Sequence, residues 1–72
     1  FIYPNPAADF LHINSSGHYN KVKVVNMKGQ LLIENYLHEQ KEKIDLSALQ
    51  PGLYFVIVTG KGNSYFAKIL KT

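Results

Sequence analysis

The sequence predicts an all-β fold, a sandwich of two antiparallel sheets built from about seven short strands. Three observations carry that expectation. Turn signals recur at intervals of about 8–12 residues, the spacing of a strand and its hairpin. Apolar residues between those turns alternate with polar ones, and no amphipathic helix longer than a turn is visible. The third is Leu53-Tyr54-Phe55-Val56-Ile57-Val58, the longest unbroken apolar run, which starts at a Pro51-Gly52 corner and stops at Thr59-Gly60. It reads as a strand covered on both faces. Tyr54, Val56 and Val58 are expected to point between the sheets, with Leu53, Phe55 and Ile57 on the outer face.

The other elements follow in order. Phe1-Ile2-Tyr3-Pro4-Asn5-Pro6-Ala7-Ala8-Asp9 reads as an edge strand or polyproline-like arm, because each proline fixes its own φ and pushes the residue before it toward extended geometry. Phe10 to Asn14 alternates, with Leu11 and Ile13 on one face and His12 on the other, and ends in the breaker Asn14-Ser15-Ser16-Gly17. Lys21 to Asn26 has lysines outward and Val22 and Val24 inward, the pattern of a half-buried antiparallel strand. Met27-Lys28-Gly29-Gln30 is a hairpin turn in which Gly29 supplies the positive φ, and Leu31 to Tyr36 is the returning strand. Lys43 to Leu46 is a further short strand. Ser47-Ala48-Leu49 has room for one helical turn, capped by Asp45 or Ser47. Gly60-Lys61-Gly62-Asn63 is a second hairpin turn, and Ser64 to Lys71 is the last strand.

Length and composition narrow the function. Seventy-two residues make one domain, 1–72. A chain of this size buries only about 60% of the surface its unfolded form exposes, so each core contact matters. There is no cysteine, so neither a disulfide nor a thiolate metal site is available. The net charge of +3 comes from lysines alone, with no arginine for bidentate recognition of bases or phosphates, and nucleic acid is not an expected partner. No apolar run approaches the roughly 18 residues of a membrane-spanning helix. The chain starts at Phe1 rather than methionine, which suggests a piece of a longer protein with any signal peptide upstream.

Catalytic chemistry finds no foothold. His12, His18 and His38 lie in different segments and lack metal-ligand spacing, so no cofactor or metal is expected. Ser15, Ser16, Ser47 and Ser64 sit in no nucleophile elbow. Asp9, Glu34, Glu39, Glu42 and Asp45 are scattered rather than paired for acid/base work. Gly60-Lys61-Gly62 lacks the remainder of a phosphate loop. An enzyme is not expected. Asn14-Ser15-Ser16 matches the N-glycosylation triplet, a short pattern common by chance. The tyrosines, Tyr19, Tyr36 and Tyr65 among them, support a second reading, an accessory glycan-binding or structural module of an extracellular enzyme.

Four pieces in fixed order resemble one known family. They are Tyr3-Pro4-Asn5-Pro6-Ala7 with Asp9 and Leu11 following, Gly29 in the middle hairpin, the stretch Ile44 to Val56 through Pro51-Gly52, and the closing Lys68-Ile69-Leu70-Lys71. The set is similar to the type A C-terminal sorting domain of the type IX secretion system of Bacteroidota, over essentially the whole chain. The resemblance implies an immunoglobulin-like β-sandwich at the end of an exported cargo, a substrate and address label rather than a catalyst. It implies passage through the periplasm, then an outer-membrane translocon as partner, and a sortase-like peptidase that removes the domain and leaves the cargo at the cell surface or secreted. The motif positions it carries over are Tyr3, Pro4, Asn5, Pro6, Gly29, Leu49, Gly52, Tyr54, Lys68 and Lys71. Lys68, Lys71 and the terminal strand are the expected recognition elements, and self-association through the outer apolar face is a further expectation. Asn26 and Gln30 depart from the family pattern, in which an acidic and a basic residue are common, so a charged contact at that hairpin is not expected.

Overall fold

The computed structural model describes residues 2–15 and 19–72, so Ser16 and Gly17 of the predicted breaker, the Ser16 of the glycosylation triplet, and Phe1 and His18 lie outside the described residues. The strands are β1 (Ile2–Tyr3), β2 (Phe10–Asn14), β3 (Lys21–Asn26), β4 (Leu31–Tyr36), β5 (Lys41–Asp45), β6 (Gly52–Gly60) and β7 (Asn63–Lys71). They form two antiparallel sheets, one with the order β1-β2-β5 and one with the order β4-β3-β6-β7. This is the immunoglobulin-like sandwich expected, with the fourth strand joined to the larger sheet.

Each hairpin has a local cause. Between β3 and β4 the chain turns through Met27 to Gly29, and the Gly29 N–H donates to the Asn26 carbonyl at 3.0 Å. Gly29 has φ +86°, with open space where a Cβ would stand, so the glycine is needed for its backbone and not for room. Asn26 Oδ1 accepts from the N–H groups of Lys28 (2.9 Å) and Gln30 (3.0 Å), and its Nδ2 donates to Gln30 Oε1 at 2.7 Å. The two positions that depart from the family's charged pattern thus lie against each other as a neutral hydrogen-bonded pair.

Two boundaries differ from expectation. The helical turn at Ser47-Ala48-Leu49 is instead a tight turn, in which the Leu49 N–H donates to the Leu46 carbonyl at 2.9 Å. The Leu46 carbonyl accepts from Leu49, three residues on, and not from Gln50, four residues on, so the ring closed is that of a turn and not of an α-helix. Asp45 does act there, accepting the Ser47 N–H at 2.8 Å. The Ser47 hydroxyl and N–H, with help from Lys43, hold the Asp45 carboxyl below the usual aspartate range. Strand β5 also begins at Lys41 rather than Lys43, because Lys41 and Glu42 pair with Asn14 and Ile13 of β2.

The core lies between the sheets. Leu11, Ile13 and Ile44 from the smaller sheet meet Val22, Val24, Tyr54, Val56, Val58 and Ile69 from the larger one, with Ala7, Leu37 and Leu46 closing the ends. Tyr54, Val56 and Val58 point inward as the alternation requires. Leu11→Ala should cost about 2–5 kcal/mol, since the side chain is fully buried and its loss leaves a cavity. In a domain of this size that is a large part of the total stability. Urea denaturation followed by circular dichroism should show a largely unfolded variant at room temperature.

Candidate functional site

Most of the residues singled out in the sequence converge on one pole of the larger sheet. Gly52, which opens β6, is registered opposite Lys71, which ends β7, and Tyr54 lies opposite Ile69 on one side and Asn26 on the other. The Gly29 hairpin, the Pro51-Gly52 corner and the end of β7 therefore share that pole.

The arm from Pro4 to Ala7 reaches the same place from the smaller sheet. Tyr3 pairs with His12 across β1 and β2, and their rings stack with centroids 5.3 Å apart. Beyond Tyr3 the chain leaves that sheet and runs along the outer edge of β7, through cis peptide bonds at Tyr3-Pro4 and Asn5-Pro6. The Asn5 side chain there occupies two backbone groups of β7. Its Nδ2 donates to the Lys68 carbonyl at 3.2 Å, and its Oδ1 accepts the Leu70 N–H at 3.0 Å. Ala7 continues the pairing: its N–H donates to the Leu70 carbonyl (2.8 Å), and its own carbonyl accepts the Thr72 N–H (2.7 Å). The result is a parallel bridge between Ala7 and Lys71.

The Pro51-Gly52 corner is locked from the inside. Tyr54 is buried, and its hydroxyl donates to the Gln50 carbonyl at 2.6 Å. A tyrosine near the start of the sixth strand that bonds backbone just upstream is the tyrosine corner of immunoglobulin-like sandwiches. Leu49 packs half-buried against the core beside it. Gly52 has φ +155°, again with no atom near its Cβ direction, so its part in the corner is conformational.

The two lysines of the terminal strand face opposite ways. Lys68 is exposed on the outer face, whereas Lys71 points inward, is only 6% exposed, and donates from Nζ to the Thr72 carbonyl at 3.0 Å. Of the two, only Lys68 has its side chain open to solvent. Ala7, which closes the quoted Tyr3-Pro4-Asn5-Pro6-Ala7 stretch but was given no site role, and Thr72, which sequence reasoning did not single out, join the arm to the terminal strand. A small residue directly after Pro6 was the available signal, and Ala7 is fully buried.

Of the tyrosines in the glycan reading, Tyr36 is exposed on β4 with the Lys21 ammonium 5.4 Å from its ring, Tyr19 is half-buried against the core, and Tyr65 lies on the opposite side of its strand from Phe66. Among the described residues no group of histidine, aspartate or glutamate could hold a metal ion. No helix of the structure is long and apolar enough to cross a membrane.

Asn5→Ala should destabilise the fold by about 1–2 kcal/mol, the loss of two side-chain hydrogen bonds that leaves backbone groups of β7 without their protein partner. Amide exchange should accelerate most at Leu70, and at Val56 by no more than the fall in global stability accounts for. Asn5→Asp should be at least as damaging, because a carboxylate oxygen would then face the Lys68 carbonyl. Tyr54→Phe should cost about 1 kcal/mol in urea denaturation through loss of the bond to Gln50.

The family model of the secretion system C-terminal sorting domain matches residues 1–72. No curated protein matches the chain.

Proposed function

Since the chain belongs to the family of type IX secretion C-terminal sorting domains, we propose that it is read by the export machinery as a folded address label and not as a linear signal. The observation that carries this reading is the Asn5 clamp. The motif residues at the start of the chain and those at its end are held together by Asn5 bonding to Lys68 and Leu70, 63 and 65 residues away in sequence. That composite surface exists only once the sandwich has formed.

In this reading the domain follows its cargo in the same chain, crosses the periplasm folded, and is recognised at an outer-membrane translocon. A sortase-like peptidase then removes it, and the cargo ends on the cell surface or secreted. The exposed Lys68, the Tyr3-Pro4-Asn5-Pro6 arm and the outer surface of β7 are the recognition elements. Gly29, Leu49, Gly52, Tyr54 and Lys71 act by building the pole that displays them. The domain itself performs no chemistry. Its family is one of sorting signals and not a class of enzymes.

The test fuses residues 1–72 behind a signal peptide and a reporter in a host with the secretion system. The reporter should appear outside the cell only when the translocon is present. A reporter that stays in the periplasm, or that leaves equally well without the translocon, overturns the proposal. Deleting residues 69–72 should block export, and because that deletion also removes the buried Ile69, Lys68→Glu is the companion variant. It changes an exposed charge and leaves the core intact. Normal secretion of both variants would remove the terminal strand from the recognition surface.

A further inference from the structure

At one edge of the larger sheet, the beginning of β7, the outward backbone groups of Ser64 and Phe66 have no strand beside them among the described residues. Strand edges expose unpaired N–H and C=O groups, and proteins commonly blunt them. Here β1 is only two residues long, and β5 carries lysines at Lys41 and Lys43. The edge of β4 is broken by a register shift opposite Val24/Val25, a β-bulge. The end of β7 is sealed by Asn5 and Ala7. Along the beginning of β7 none of these devices meets the outward backbone groups of Ser64 and Phe66 among the described residues.

Its backbone polarity is fixed by its neighbours. The Lys68 carbonyl and both groups of Leu70 face away from β6, toward Asn5 and Ala7. Backbone groups on a strand repeat their direction every second residue. The N–H and C=O of Ser64 and Phe66 and the N–H of Lys68 therefore face outward from the same edge. The side chains of these residues lie on the outer face. Phe66 is 61% exposed and stacks on Phe55 at 4.9 Å between ring centroids.

The charge around this edge has one sign. From Leu46 to Thr72 the sequence holds three lysines and no aspartate or glutamate. The carboxylate on the outer face of this sheet is Glu34, which sits on the far strand β4 and lies 3.5 Å from Lys21 and 3.9 Å from Lys23. A second copy of the chain would bring like charge to like, at net +3 each.

We infer that the Ser64–Lys68 edge of β7 binds an acidic extended strand of another protein by β-augmentation, with an apolar side chain placed beside Phe66 and a carboxylate two residues away beside Lys68. The backbone supplies the hydrogen bonds, and the Phe66 and Lys68 side chains set the sequence preference. Asn5 fixes the extent of the site, because it already occupies the next groups along the strand. The inference concerns what the edge binds. It is read in a binding experiment with the 72-residue chain and stands or falls separately from the export assay.

The probe is a capped, threonine-rich octapeptide carrying one leucine and one glutamate two positions apart. In NMR titration the amides of Ser64, Phe66 and Lys68 should shift and exchange more slowly, while those of Leu70 and Val56 do not change. Replacing the peptide's glutamate by lysine should weaken binding at least tenfold, and N-methylating its alternate amides should abolish it. Phe66→Pro should also abolish binding. The Phe66 N–H faces away from β6, so proline at this edge position leaves the sheet intact, and amide dispersion checks that it does. The inference is overturned by no shift at those three amides at millimolar peptide, or by equal binding of the lysine or N-methylated peptide. It is also overturned by protection of the same amides in a concentration-dependent dimer, which would make the occupant a second copy.

Discussion

The Asn5 amide on the edge of β7 is the contact on which the arrangement of the pole depends. A carboxamide presents one donor and one acceptor in a plane, as a peptide group does. One side chain therefore satisfies the Lys68 carbonyl and the Leu70 N–H, two groups that a neighbouring strand would otherwise supply. The proline on each side of Asn5 holds φ fixed and offers no N–H of its own, so the arm follows β7 without adding a strand. Because the arm grows out of β1 in the smaller sheet and ends at Ala7 against the larger one, it also ties the two layers together. In a chain with no cysteine that cross-connection, closed by backbone and side-chain hydrogen bonds, stands where a small domain would often place a disulfide.

From this contact follows a division of β7 into two functional lengths. Its last residues are committed within the molecule: Ile69 in the core, Leu70 to Asn5 and Ala7, Lys71 to the Thr72 carbonyl. Its first residues pair with β6, and the outward backbone groups of Ser64 and Phe66 meet no further strand among the described residues. The same strand thus serves as a structural seal at one end and as an open edge at the other. Lys68 stands at the junction, with its carbonyl already taken by Asn5 and its side chain exposed.

The fold was legible because each strand has a local cause visible in sequence. Lys21-Val22-Lys23-Val24 alternates as a half-buried strand should, Gly29 sits at the position that needs positive φ, and the apolar run after Pro51-Gly52 is β6. What was not legible depends on pairings between distant residues. Nothing local distinguishes Lys68 from Lys71 as outward and inward, since their three-residue spacing in a strand only guarantees that they differ. Which one is buried is decided by Ile69 entering the core, two residues before Lys71. The bond between Asn5 and a strand more than sixty residues later has no local signal at all. The helical turn at Ser47 failed in the opposite way: local propensity favoured it, but the Leu46 carbonyl bonds Leu49, three residues on, and the chain passes through a tight turn into Pro51.

The apolar strand β6 poses the question of how a two-layer fold accommodates a strand with two apolar faces. Its inner face fills the core. On its outer face, coverage comes sideways from the neighbouring strands instead of from a third layer. Phe55 is flanked by Val25 and Lys68, and Ile57 by Lys23 and Phe66, so both are half-buried within the sheet surface. Lysine suits this position because its methylene stem lies along apolar surface while the ammonium stays in water. Lateral coverage needs a neighbour on each side, and it runs out at the sheet's edge. Phe66 covers Ile57 and stacks on Phe55 but has no strand beyond it, and it remains 61% exposed. Part of the apolar surface that the sandwich does not hide thus lies on the outer edge strand β7, with more on Leu53 of β6 and on Leu31, Leu32 and Tyr36 of the other edge strand, β4. A partner that supplied one more strand beside the beginning of β7 would complete both the hydrogen-bond ladder and the lateral cover.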